Sequence, residues 1–246
     1  MIVAVVGGGG SYPPPHYGGP SILVDTGDFR LLLDCGEDCL TGLASTGYSP
    51  CDIDAVYVSH IHIDHWAGIP SLATARIAES CPRLRVLARS DVMAYLGGYL
   101  ETFTPSRLEL SLEAAGGFPL SHGYRVETRP VSHSVPTYGV LILEGDYRIA
   151  VYTSDTRINP SLLEWAMDVP LLIAEATLPS SLGEVADRTG HMTVEDFLRL
   201  ASEARPGRAV AVHLSPGSLG ELERLTGEGR VPPGVFIGFR GLRASV

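Results

Sequence analysis

The segment Ser59-His60-Ile61-His62-Ile63-Asp64-His65-Trp66 constrains this chain more than any other. It closes an apolar run, Asp52–Ser59, that reads as a strand, and it sets four side chains of metal-ligand type within six positions. In extended backbone, positions i and i+2 point to the same side, so His60 and His62 can chelate one cation. Where the chain turns towards the next helix, Asp64 and His65 can face a second cation nearby. Without cations, so dense a set of imidazoles beside a carboxylate is partly repulsive. The plain alternative is a solvated polar turn.

Around this motif, short apolar runs alternate with turn signals. Ile2–Val6, Ser21–Asp25, Arg30–Asp34, Val86–Ala88, Tyr124–Thr128, Gly139–Leu143, Tyr147–Thr153, Pro170–Glu175, Arg208–His213 and Val235–Gly238 are predicted strands. Thr26-Gly27-Asp28 and Glu144-Gly145-Asp146 are predicted hairpin turns. The pattern predicts helices over Ala67–Ala78, Asp91–Thr104, Ser161–Ala166, Thr193–Ala204 and Leu219–Thr226. Ser90 or Asp91 caps the second, and Thr193, with Asp196 three residues on, caps the fourth. No linker, low-complexity tract or repeat divides the chain. The expectation is one α/β domain over residues 1–246, with sheets in the middle and helices outside. The Gly- and Pro-rich stretch Gly7–Pro20 reads as a surface loop. No Gly-Lys-Ser/Thr and no helix follow its glycines, so a phosphate loop is not expected there.

Of the 246 residues, 45% are hydrophobic and 19% charged, which supplies a sizeable core and excludes a disordered chain. The formal net charge is −10 and every positive side chain is Arg, so a wholesale basic surface for nucleic acid is excluded, though a local patch is not. No stretch is long and apolar enough to span a membrane, and Met1–Val6 lacks the positive leader of a signal peptide; the expected compartment is the cytoplasm. Cys35, Cys39, Cys51 and Cys81 lack the paired spacing of a structural zinc knuckle and are expected to be free thiols.

Five further histidines are scattered: His16, His122, His133, His191 and His213. His133 follows a strand, His213 closes the apolar strand Val210–Val212, and Asp155 ends the strand running to Thr153. Each stands at a strand's carboxyl end, where open α/β architectures build sites. Singly, each reads as structural. Together with the cluster they supply what a two-metal site lacks, a third histidine per metal and a bridging carboxylate.

At this point the chain resembles the metallo-β-lactamase superfamily, whose signature is His-x-His-x-Asp-His followed by a distant His, an Asp and a final His. Here these are His60, His62, Asp64, His65, His133, Asp155 and His213. Leu32-Leu33-Asp34-Cys35-Gly36 is similar to the family's strand and turn upstream. The resemblance spans nearly the whole chain and implies a four-layer αβ/βα sandwich with two divalent metals at the edge between its sheets. By similarity, His60, His62 and His133 hold one metal, Asp64, His65 and His213 the other, and Asp155 bridges. Within the superfamily the chain most resembles ribonuclease Z and related phosphodiesterases. Thr153-Ser154-Asp155-Thr156 resembles that branch's Ser-Gly-Asp-Thr, and Ala174-Glu175-Ala176-Thr177 its His-Glu-Ala-Thr. Gly190-His191-Met192-Thr193 resembles Gly-His-Ser-Thr, and Val212-His213-Leu214-Ser215-Pro216 resembles Thr-His-Phe-Ser-Pro. The resemblance makes Glu175 and His191 a proton-delivery pair and implies a homodimer.

Two departures stand out. The branch's N-terminal loop carries cations that help to bind RNA, but Pro13-Pro14-Pro15-His16-Tyr17-Gly18-Gly19-Pro20 carries none. Ribonuclease Z inserts a long basic arm for tRNA between the third His and the bridging Asp, whereas here strands fill most of the short stretch from His133 to Asp155. The implied chemistry is hydrolysis, with a paired cation site lowering the pKa of water, Asp64 orienting that water or taking its proton, and His191, held by Glu175, as general acid. The plain alternative for Glu175 and His191 is an ordinary structural ion pair. Mixed His and carboxylate ligation suits zinc best, with manganese or iron compatible. The expected substrate is a small or exposed phosphodiester, a nucleotide or an RNA end, with tRNA 3′ processing as the narrower variant. Tyr12, His16 and Tyr17 either line the mouth or are routine loop residues. Two other readings remain: a hydrolase of a thioester, lactone or aryl sulfate, and a non-catalytic binding protein on the same fold.

Overall fold

The computed structural model describes residues 1–103, 108–112, 117–121 and 123–246. Its first half comprises β1 (Ile2–Gly7), β2 (Ser21–Asp25), β3 (Arg30–Leu33), α1 (Cys39–Ser45), β4 (Ala55–Val58), α2 (Ile69–Ala78), β5 (Leu84–Ala88), α3 (Ser90–Phe103) and β6 (Leu108–Leu112). The second comprises β7 (Gly117–Ser121), β8 (Tyr124–Pro130), β9 (Tyr138–Glu144), β10 (Tyr147–Tyr152), α4 (Pro160–Ala166), β11 (Leu171–Glu175), α5 (Gly183–Thr189) and α6 (Val194–Ala204). It ends with β12 (Arg208–Val212), α7 (Pro216–Gly227), β13 (Val235–Ile237) and β14 (Arg243–Ser245). Among the described residues the strands form two seven-stranded sheets, ordered β14-β1-β2-β3-β4-β5-β6 and β13-β12-β11-β10-β9-β8-β7.

The two-residue period of a strand builds four layers from these sheets. Leu31, Leu33 and Tyr57 point between the sheets, where they meet Tyr152, Ile173 and Val210. Their neighbours Leu32, Val56 and Val58 point the other way, onto Leu43, Leu72 and Leu96 of α1, α2 and α3. In the second sheet, Leu172, Ala174 and Ala211 turn outward onto Trp165 of α4, Phe197 of α6 and Leu222 of α7. The result is an αβ/βα sandwich, as the family resemblance implies. β3 to β6 run parallel, as do β10 to β13. Strands buried on both faces read as continuous apolar runs, which is why β3, β4 and β11 lack alternation in sequence. Parallel pairing also sets the carboxyl ends of β4, β10, β11 and β12 at one edge, where the candidate site lies.

Several expectations are corrected. The strand expected over Asp52–Ser59 is shorter, because Pro50–Asp52 forms a single 3-10 turn capped by Ser49. The predicted helix end at Thr104 and His122 both lie outside the described residues. α1, α5, β6, β7 and β14 went unrecognised in the sequence. α1 and α5 start without a side-chain cap, and β7 carries Gly and Pro. The stretch Gly7–Pro20 is not wholly a surface loop: Gly7 to Gly10, Gly19 and Pro20 are buried.

Two of the four cysteines are not free thiols. Cys51 and Cys81 form a disulfide, with their Cα atoms 5.3 Å apart across a sequence separation of 30. Spacing concealed the pairing because β4 and α2 fold back on each other. Arg76, near the end of α2, donates to the carbonyls of Pro50, Ile53 and Pro82, which brings the two cysteines together. Cys35 and Cys39 remain free and buried. Closing a loop of this length stabilises by about 2–4 kcal/mol through the unfolded chain. The double variant Cys51→Ser/Cys81→Ser is expected to lose that amount in a denaturant melt, and an unchanged midpoint would show that the bridge adds nothing.

Candidate metal centre

The histidine motif begins where β4 ends. His60 and Ile61 form a bend rather than the extended run expected from the sequence, His62 is extended, and a 3-10 turn over Ile63–His65 then brings Asp64 and His65 round, held by His65 N donating to the His62 carbonyl and Ala67 N to that of Ile63. Trp66 Nε1 donates to the Ile61 carbonyl at 3.0 Å and closes the turn. His133 follows β8, Asp155 follows β10 and His213 follows β12.

These seven side chains converge as two donor groups. His62 Nδ1 lies 3.1 Å from both His60 Nε2 and His133 Nε2. In the second group, His213 Nε2 lies 3.3 Å from His65 Nε2 and 3.2 Å from Asp64 Oδ2. Asp155 reaches both: its Oδ2 is 3.6 Å from His60 Nε2, 3.8 Å from His133 Nε2 and 3.3 Å from His65 Nε2, and its Oδ1 is 3.3 Å from His213 Nε2. A single N–H···N bond satisfies two ring nitrogens, not three meeting at one point. Donors held ~2.0–2.1 Å from a tetrahedral zinc stand about 3.3 Å apart, close to the spacings here. Asp155 Oδ1, buried and without a hydrogen-bond partner, marks the same place as short of a cation. Both groups could hold a metal ion.

The outward nitrogens strengthen this reading, since metal-binding imidazoles are oriented through the nitrogen that faces away from the metal. His65 Nδ1 pairs with Asp34 Oδ2 at 2.8 Å and His60 Nδ1 with Ser59 Oγ at 3.0 Å. His133 Nδ1 pairs with the Gly190 carbonyl at 2.9 Å and His213 Nδ1 with Thr177 Oγ1 at 2.8 Å. Burial, reinforced by like-charged imidazole neighbours, pushes His60, His62 and His133 down, towards the neutral form that binds metals. Burial opposes ionisation of Asp155, but His213 and His65 beside it hold its carboxyl well below the usual carboxylate range.

Glu175, at the end of β11, is buried and fully engaged. It accepts from the backbone N–H of Thr156 and Met192 and from Thr177 Oγ1. Its oxygens lie 3.2 and 3.3 Å from His191 Nδ1. Burial works against a charged His191, yet the Glu175 carboxylate overrides it and raises His191 to about 9. Asp64 behaves oppositely. Burial favours its neutral form, but the His213 bond and nearby His65 bring it to about 2. A carboxylate that acidic is a weak base, better suited to orienting water than to taking its proton.

Sequence reasoning missed the supports. Asp34 accepts from Ser59 N, Ser59 Oγ and Tyr152 OH besides pairing with His65, all of them buried. Its signals in the sequence are an acid placed directly after an apolar strand and the family likeness of Leu32-Leu33-Asp34-Cys35-Gly36, neither of which shows that it supports His65. Gly10 lies so close to His213 that a Cβ there would stand 2.7 Å from the imidazole. Gly190, in the left-handed region at φ 77°, presents its carbonyl to His133. Asp34, Ser154 and His213 also hold left-handed backbone, at φ 58°, 53° and 56°, a cost of about 1–3 kcal/mol each that clusters at functional sites. Ser154 occupies the place of the glycine in the ribonuclease Z motif. The cleft over the donors has a volume of about 470 Å³ and is lined by Ser11, Ile63, Ser134, Arg188 and Thr189 beside the donors and His191. Of the two readings of Tyr12, His16 and Tyr17, the structure favours routine loop residues: Tyr12 and His16 are exposed outside this lining, and Tyr17 packs against the core under α7.

Five histidines and two aspartates gathered at the edge of an αβ/βα sandwich define a metallo-hydrolase type of centre. Residues 29–214 match the beta-lactamase superfamily domain, and the chain belongs to that superfamily. It is 30% identical over 224 residues to the probable metallo-hydrolase YhfI of Bacillus subtilis, covering 87% of each chain. It is 27% identical over 238 residues to ribonuclease Z of Pyrobaculum arsenaticum, covering 83% of each. The crystal structure of YhfI superposes with a TM-score of 0.83 at 26% identity, covering 99% of both chains. Human tRNase Z, short form, gives 0.77 at 20% identity over 100% of this chain and 99% of that one, a likeness of fold. The chain is a metal-dependent hydrolase related to ribonuclease Z.

Asp34→Asn keeps a side chain that tolerates left-handed backbone but removes the charge facing His65. It is expected to weaken zinc binding by about 10–100-fold in a chelator competition. Unchanged affinity would remove Asp34 from the support of the centre.

Proposed function

We propose that this protein is a dinuclear metal-dependent phosphodiesterase of the ribonuclease Z-like branch, acting on a small nucleotide or an RNA end. The observation that carries this reading is the Glu175–His191 pair standing beside the donor groups, with His191 Nδ1 3.9 Å from Asp155 Oδ2. In this reading His60, His62 and His133 hold one cation, Asp64, His65 and His213 the other, and Asp155 serves both. Five imidazoles and two carboxylates suit zinc best, with manganese or iron compatible. A cation pair bound there acidifies water and neutralises phosphoryl oxygens. Asp64, ionised and lining the cleft, orients the attacking water. Glu175 faces His191 Nδ1 and keeps the imidazole doubly protonated, so that the Nε2 proton can pass to the departing oxygen while the Nδ1 proton stays with Glu175. Ester hydrolysis with a good leaving group needs no such donor, which favours a phosphodiester with an alkoxide leaving group over a thioester.

We also take residues 1–246 to work as one domain in the cytoplasm, without an inserted tRNA arm. Residues 134–154 are largely taken up by β9 and β10. Cleavage of a tRNA precursor at its 3′ end is the narrower variant, which a direct processing assay decides.

The test combines metal content with two substrates. About two zinc ions per chain, and chelator-sensitive turnover of bis-p-nitrophenyl phosphate, are expected. Nitrophenolate departs without a proton, whereas a dinucleotide releases an alkoxide. His191→Ala should therefore lower kcat on a dinucleotide by about 10²-fold or more and on the aryl ester far less, with metal content unchanged. Equal losses on both substrates, or loss of metal, would remove His191 from the acid role.

A further inference from the structure

An anionic substrate must approach a chain with 28 acidic and 18 basic side chains, and the N-terminal loop offers it no cation. One guanidinium does reach the cleft. Arg188 stands in the last turn of α5 and, among the described residues that line the cleft, is the sole arginine. It is exposed and makes no ion pair or hydrogen bond with the described residues. The arginine that binds the preceding residue of α5 is fully committed: Arg157 pairs with Asp187 and Asp196 and donates to the His191 carbonyl. The Arg157–Asp187 bond, at 2.7 Å, and the burial of Ala186 fix how α5 is turned. With those two positions fixed, the next residue, Arg188, falls on the side of α5 that faces the cleft. The helix dipole accounts for a cation at a helix carboxyl end. It does not account for a cation that lacks an acidic partner where acids outnumber bases.

We propose that Arg188 is the specificity-determining residue of this site and that it binds a phosphoryl group of the substrate. This deepens the phosphodiesterase reading and rests on it. Guanidinium and phosphate match through a planar pair of donors, which an ammonium cannot reproduce. The rest of the lining suits the same ligand. Ser11, Ser134 and Thr189 offer hydroxyls, and Ile63, 64% exposed, offers apolar surface to a base. The substrate class is then a phosphodiester of mononucleotide size with its anion turned towards α5, not a neutral ester.

Binding tests this separately from turnover. Adenosine 5′-monophosphate is titrated calorimetrically into the zinc-loaded wild type, Arg188→Ala, Arg188→Lys and, as a control on α7, Arg224→Ala. Loss of one charged hydrogen-bonding pair should weaken binding about tenfold in Arg188→Ala and flatten its dependence on salt. Arg188→Lys should recover part of the loss, and Arg224→Ala should match the wild type. Arg188→Ala binding within about twofold of the wild type, or a wild type that does not bind the nucleotide, overturns the proposal. If the wild type binds through Arg188 yet cleaves no phosphodiester, the phosphodiesterase reading fails while the anion contact stands.

Discussion

The two sheets are tied together behind the donor groups by one buried carboxylate. Asp34 leaves the end of β3 in the first sheet and accepts a 2.7 Å hydrogen bond from Tyr152 of β10 in the second. Ser59, at the end of β4, donates to it twice, and Ser154 donates in turn to Ser59 at 2.8 Å. A charge with no water around it is tolerated only when its lone pairs are filled. Asp34 meets that condition with partners from both sheets, so the requirement that stabilises the carboxylate also fixes the spacing between them. Its remaining capacity goes to His65 Nδ1, which sets the direction of Nε2. The geometry of the second donor group is thus inherited from the packing of the sandwich.

A similar economy governs charge at the centre. Burial and neighbouring imidazoles push His60, His62 and His133 towards the neutral form, while His213 and His65 hold the Asp155 carboxyl well below the usual carboxylate range against its own burial. Glu175 lies outside the donor groups, and its oxygens are occupied by Thr156, Thr177 and Met192 before His191 is counted. Filled in this way, it cannot swing towards a cation, and its charge is left to raise His191. Two carboxylates of similar burial therefore take different parts because their partners differ. Asp155 has an oxygen without a hydrogen bond, and Glu175 has none to spare.

Much of this was legible in the sequence, for physical reasons that differ by element. The donor residues stand at strand ends, and a strand's apolar run is a strong local signal, so His60, His133, Asp155 and His213 could be found from their positions. β3, β4, β11 and β12 were recognisable because parallel strands buried on both faces leave long apolar runs. β14, three residues long, and β7, which carries Gly and Pro, draw their pairing from neighbouring strands and leave little local trace. Asp34, Thr177 and Gly10 were hidden for a related reason. Each acts through a partner distant in sequence, and no local pattern records the hydrogen bond that Thr177 Oγ1 accepts from His213 Nδ1 or the close passage of Gly10 beside that ring. The Cys51–Cys81 bridge belongs to the same class, since its geometry follows from Arg76 gathering three carbonyls.

The backbone conformations at the centre bear on how such a site is kept. Asp34, Ser154 and His213 each adopt left-handed φ, and each has its side chain or its immediate neighbour in the donor network. None of them is glycine, although glycine would hold that conformation without penalty. For Asp34 and His213 the side chain is what the position needs, so the strain is offset by their buried partners. For Ser154 the donated bond to Ser59 extends the chain of hydroxyls that ends at Asp34. At these three positions several buried hydrogen bonds over-determine the backbone, unlike the left-handed residues Ser80, Asp168 and Arg205, which are exposed. By contrast, the cleft lining that meets a substrate, with Ser11, Ile63 and Arg188, is exposed and makes few contacts of its own. Chemistry and recognition are thereby separated in the fold. A rigid edge between two sheets carries the donors, while side chains outside the hydrogen-bonded core can change without disturbing them.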